Sequence, residues 1–320
     1  MTPECGDQFD DDNVIAFRRP GADPAQNPTA AGLLLGIQLK ALRGGRTLRK
    51  VVEGLDNRLS QAKLSRLENA ESPPKPDDIW ALLRFYQAGP QIASAVEELA
   101  RHAAQPNWLD SYRDVLASWV ERLMALESAA IKLVTYEAKI VPGLVQTQDY
   151  ARAIFSRELP SGQAHRLDRY LCLRGERQER FLVAPPRSVF FLEHSTLYRK
   201  VGSPRVMVDQ LQRLIDLTST RGFGVRIITL DHFFASSVSS LTHLDFGRSG
   251  LPELIYNERL RGADYCTPTA DERPAPDEDH KVSEMEEYKQ LLWQLMATGT
   301  ERQESRELLL EAKEHFEAQL

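Results

Sequence analysis

The sequence predicts two unlike parts, an all-α N-terminal module and an α+β C-terminal domain. Three observations carry that expectation. Between residues 33 and 86, apolar side chains recur at helical spacing in short blocks. Strand-like runs begin only after residue 130 and are interleaved with helical ones. The 320 residues also exceed what one core usually holds. With 42% hydrophobic and 27% charged residues, most of the chain is expected to fold.

Residues 1–29 combine Asp10, Asp11 and Asp12 with Pro20, Gly21, Pro24 and Pro28, which predicts a mobile acidic tail, solvated or folded back on a basic surface. Residues 30–90 group as Leu35, Leu39 and Leu42; Leu48, Val51, Val52 and Leu55; Leu64 and Leu67; and Ile79, Leu82, Leu83 and Tyr86. Breaks at Gly44 and Gly45, at 56–60 and at 72–76 separate four short helices. Residues 91–127 read as a helical linker. Its Leu109, Tyr112, Leu116, Trp119, Leu123 and Leu126 form an amphipathic seam that either pairs two subunits or packs on its own domain.

Residues 128–320 make up the α+β part, with strands expected at 131–137, 188–193, 225–230, 241–246 and 254–257. Helices are expected at 148–155, 164–183, 204–218, 282–296 and 301–319. Thr147 and Ser203 are N-cap candidates, the latter followed by Pro204 at the first helical position. The proline- and acid-rich stretch 267–279 predicts an exposed loop before two closing helices.

Cys5, Cys172 and Cys266 have neither metal-ligand nor disulfide spacing, so no metal or cofactor is expected and a reducing cytoplasm fits. A secretory leader and a membrane-spanning run are likewise not expected. The net charge of −6 hides an uneven distribution: residues 30–90 carry ten basic and six acidic side chains, residues 271–320 six and fourteen. The compact basic segment points to a polyanionic partner at the N-terminal module.

That segment contains the informative string S-Q-A-K-L-S-R-L-E-N-A, residues 60–70. Ser60 is placed to cap a helix whose Leu64 and Leu67 face inward, leaving Gln61, Lys63, Ser65 and Arg66 on or beside the outer face. Glutamine can pair with adenine in a bidentate way, and Lys and Arg with guanine or phosphate. The expected partner is therefore double-stranded DNA. Gln61, Lys63 and Arg66 would enter the major groove, with Thr47, Asn69 and Lys75 on flanking phosphates. A homodimer would place two half-sites about 34 Å apart.

Residues 33–86 resemble the Cro/lambda-repressor or Xre-type helix-turn-helix: L-x-x-L-R at 39–43, T-L-x-x-V at the start of 47–55, and the K-L-S-R-L-E-N string. The resemblance implies an ion pair between Arg43 and Glu68, where the residues alone also allow a solvated arginine. Three departures stand out: a short first connection, an insertion at Asn57 and Arg58 with Asp56 where glycine is usual, and Leu48 in place of a backbone-contacting glutamine. That contact would move to Thr47, Arg46 or Arg58. The string V-P-G-L-V-Q-T-Q-D-Y-A-R at 141–152 is similar to the signature of actinobacterial regulators called WhiJ-like or Scr-type antitoxin-like. So is R-x-x-R-Q-x-x-x-L at 174–182. That resemblance implies a sequence-specific, nucleoid-associated regulator whose C-terminal domain answers to a small effector or a small partner protein. The alternative is an interaction protein that sequesters such a partner and binds DNA only for autoregulation.

No catalytic constellation emerges, and an enzyme is not expected. Glu193 and His194 at a strand end stand without a second ligand or acid-base partner. Gly222 and Gly224 lack the third glycine and the following helix of a nucleotide site. Tyr136, Glu137, Arg174, Arg177 and Glu258 either line a ligand pocket or form surface salt bridges.

Overall fold

The computed structural model describes residues 29–103, 108–159, 161–231, 238–247, 253–259, 262–267 and 284–320. Apart from Thr29 and Thr267, the expected acidic tail and the 267–279 loop lie outside them.

Five helices build the N-terminal part: α1 (Ala30–Arg43), α2 (Leu48–Gly54), α3 (Gln61–Glu68), α4 (Pro76–Phe85) and α5 (Pro90–Ala103). Hydroxyls cap the first three, Thr29 accepting from the amide of Gly32, Thr47 from Lys50 and Ser60 from Lys63. Leu35, Leu39, Val51, Leu64, Ile79 and Leu82 close a common core. The fifth helix falls in the stretch read as linker, because its inward stripe is narrow: only Val96 is fully buried, with Ile92 and Leu99 beside it. A glycine inside α1 also has a reason. A Cβ on Gly36 would lie 2.3 Å from the carbonyl oxygen of Glu68, so the missing side chain lets α1 touch the end of α3.

The C-terminal part is a six-stranded mixed sheet of β1 (Lys132–Glu137), β2 (Arg187–Glu193), β3 (Phe223–Ile228), β4 (Ser240–Asp245), β5 (Leu254–Arg259) and β6 (Gly262–Cys266). The order is β3-β2-β1-β4-β5-β6, parallel through β1, β2 and β3 and antiparallel elsewhere. Its helices are α6 (Ser118–Glu127), α7 (Gln148–Glu158), α8 (Leu167–Val183), α9 (His194–Tyr198), α10 (Pro204–Ser219), α11 (Glu284–Thr298) and α12 (Arg302–Glu317). Leu173 of α8, Leu211 of α10 and Phe316 of α12 meet Phe190, Val225 and Leu244 on one face of the sheet. On the other, Met285, Tyr288 and Leu295 of α11 cover Val134, Phe191 and Ile255. The expected caps form: Thr147 accepts from the amide of Tyr150 and Ser203 from that of Val206. An all-α part followed by an α+β part is thus what the chain builds.

The 106–127 seam is interrupted. A 3-10 turn (Trp108–Tyr112) precedes α6, yet Leu109, Tyr112, Val115, Leu123 and Leu126 all bury in the sheet-containing core. Spacing of three and four persists across the break because the turn and the helix face the same surface. Helix α1 also spans both parts: Leu35 and Leu39 serve the first core, while Leu33 and Leu34 join the second.

Candidate nucleic-acid interface and a polar cluster in the second domain

Helix α3 has two sides of different chemistry. Leu64 and Leu67 are buried, whereas Gln61, Ala62 and Arg66 are exposed. Among the described residues, neither Gln61 nor Arg66 is held by a hydrogen bond or ion pair, so both ends are available to an incoming surface. Ser60 and Thr47 accept capping bonds through their hydroxyls, which still leaves each an O–H to donate to a phosphate. Arg58 and Lys75 are exposed, Arg58 with Asp77 3.9 Å away.

Two of the expected contact residues are otherwise engaged. The Lys63 ammonium lies 2.5 Å from Asp78, with side chains 33% and 9% exposed, so it is pinned to α4 rather than projecting outward. Asn69 accepts a 2.8 Å hydrogen bond from the Lys40 ammonium. Ser65 is half-buried.

The arginine–glutamate pair is present and bidentate. Arg43 donates from Nε to Glu68 Oε1 at 2.7 Å and from Nη2 to Oε2 at 3.1 Å. Its Nη1 also donates to the Arg46 carbonyl at 2.7 Å. One guanidinium therefore ties the end of α1, the first connection and the end of α3. The second connection absorbs its insertion by placing Asp56 and Asn57 in the left-handed region, at φ of 49° and 57°. Aspartate and asparagine tolerate that region better than other non-glycine residues.

In the second domain, the two strings at 141–152 and 174–182 interlock. A Cβ on Gly143 would lie 2.8 Å from Nη1 of Arg174 and 3.3 Å from Nη1 of Arg177, so the bare backbone there seats both guanidinium groups. Gln178 donates to the carbonyls of Gly143 and Gln146, at 2.7 and 2.9 Å. Arg177 forms a two-bond pair with Glu127, the buried last residue of α6, at 2.8 and 2.6 Å. Burial works against the charge of Arg177, but Glu127 outweighs it and pushes the pKa up. Arg174 donates to Gln146 Oε1 and lies over the Phe155 ring at 4.9 Å.

Of the five residues grouped for this site, four come together and one does not. Glu137, Arg174, Arg177 and Glu258 are mutually coupled, with Glu158 and Tyr256 beside them. Tyr136 points to the opposite face of the sheet, in the α11 core, where its hydroxyl donates to Glu193 at 2.7 Å. Successive strand residues alternate faces, so adjacent Tyr136 and Glu137 are separated. Gln146 lies within the 141–152 string, whereas nothing local in the sequence marks Glu127 or Tyr256.

Burial, reinforced by Glu258, pushes the Glu137 carboxyl from 4.5 up to about 8, against its hydrogen bond from Ser240 and the pull of Arg177 and Arg174. A carboxyl with a raised folded-state pKa keeps its proton in the fold. Its contribution to stability is full below 4.5 and is lost as pH rises through 8. Glu137→Gln, which never ionises, is expected to flatten the fall in stability between pH 6 and 9 by roughly 1–2 kcal/mol. Denaturant midpoints at both pH values check this, and parallel curves for variant and wild type would refute it.

No described helix is long and apolar enough to cross a membrane. A family model described as a domain of unknown function (DUF5753) matches residues 120–311. A helix-turn-helix domain model matches residues 34–103, which takes in α5. No curated protein and no solved structure matches.

Proposed function

Since the chain belongs to the family defined by the domain of unknown function DUF5753 and carries a helix-turn-helix domain ahead of it, we propose that it is a sequence-specific transcriptional regulator of the Xre type. In this reading it works as a regulator and not as a catalyst. The observation that carries it is the outer face of α3: Gln61 and Arg66 are exposed and uncommitted on a capped helix, within the segment that holds the chain's basic excess. Gln61 and Arg66 read base edges, and Thr47, Ser60, Arg58 and Lys75 set register on the phosphates. A homodimer supplies the second half-site. The second domain adjusts DNA affinity by binding a small effector or partner differently in DNA-competent and incompetent arrangements. Helix α1 supports such coupling, because its two faces belong to different cores.

The test is a fluorescence titration of the full chain against fragments of its own upstream region at two salt concentrations. Submicromolar, salt-sensitive binding to one fragment over random DNA is expected. Equal binding to every fragment would remove the regulator reading.

A further inference from the structure

Arg174 is a buried cation in the second domain that its surroundings leave incompletely satisfied. A guanidinium has five N–H donors. Arg174 spends one on Gln146, turns one face to Phe155 and forms no ion pair among the described residues, whereas its neighbour Arg177 is paired through two bonds with Glu127. Burial lowers its pKa to about 10, and the carboxylates that favour its charge, Glu158 first, act from beyond ion-pair range. Enclosing a cation without a counter-ion is costly, and an anionic group that took up the remaining donors in a two-bond arrangement would relieve the cost.

A second observation points to the same place. Tyr256, 1% exposed, has a buried hydroxyl without a well-formed hydrogen bond, and Glu258 and Arg177 are among the groups acting on it. The rest of the cluster is acidic: Glu137 and Glu258 repel one another, as do Glu158 and Glu258, and burial holds all three toward the neutral form. A second anion would be opposed there, and an amine would be welcomed. One guanidinium without an ion pair beside several crowded carboxyls matches a small molecule carrying both charges.

We propose that this cluster binds a small zwitterion of the amino-acid type, its carboxylate on Arg174 and its ammonium on Glu137 and Glu258. The proposal rests on reading the second domain as a sensor, and it gives that sensor a ligand class. The cluster is also connected to the DNA-reading part. Arg177 holds the last residue of α6, and α6 packs in the core that receives Leu33 and Leu34 of α1.

The experiment is thermal unfolding of the full chain with each common amino acid in turn, beside acetate and ethylamine as single-charge controls. At least one amino acid is expected to raise the midpoint by about 3–6 °C while neither control does. Arg174→Gln is expected to abolish that rise. Glu258→Gln, which keeps the side chain's shape and removes its charge, is expected to weaken binding by about tenfold, as for one lost charged contact. If no amino acid exceeds the controls, or if the rise survives in both variants, the assignment is wrong. DNA is absent from the assay, so a chain that binds an amino acid but no operator would keep this site and lose only the regulator reading.

Discussion

Arg43→Ala is expected to lower the stability of the DNA-reading module by about 2–4 kcal/mol. Glu68 is left with a carboxylate whose side chain is only 3% exposed, and Arg43 itself keeps 22%, which puts the loss below the upper end for a fully buried pair. The Arg46 carbonyl loses its donor in the same step, so the first connection loosens with the end of α3. Arg43→Lys should recover less than half of the loss, since an ammonium cannot reproduce a two-bond fork. Hydrogen exchange in α3 and chemical denaturation of the full chain measure this. Stability within about 0.5 kcal/mol of wild type would mean that the pair is incidental.

That pair also shows which parts of the fold are legible in the sequence. Where a feature is local, the residues announce it: Ser60, Thr147 and Ser203 all cap the helices they precede. Arg43 and Glu68 are 25 positions apart, and only the resemblance of the surrounding strings brings them together. Strand β1 defeats the usual reading, because both faces of the sheet are covered and residues 133–136 are all buried. Without polar alternation, nothing assigns Tyr136 and Glu137 to opposite faces. Strand β6 has no fully buried residue, and α9 has five residues, too few to show a period. The cluster around Arg174 draws on α6, α7, α8, β1 and β5, elements that meet only after folding.

Replacing Gln61 and Arg66 together by alanine is expected to cut specific DNA affinity by roughly 30- to 2 × 10⁴-fold, the sum of two base contacts at about 1–3 kcal/mol each. Folding stability should stay within about 0.5 kcal/mol of wild type, because both side chains are exposed and make no contact that the fold uses. Lys63→Ala separates the two kinds of residue on this helix. Its ammonium neutralises Asp78, whose side chain is 9% exposed, so its removal should cost about 1–3 kcal/mol of stability. At temperatures where the Lys63 variant is still folded, its operator affinity should fall far less than that of the double variant. A fluorescence titration at two salt concentrations, paired with thermal unfolding of each variant, reads both quantities. A Lys63 variant of unchanged stability that loses all operator binding would place that lysine in the groove, and its contact with Asp78 would then be a resting pose that DNA displaces.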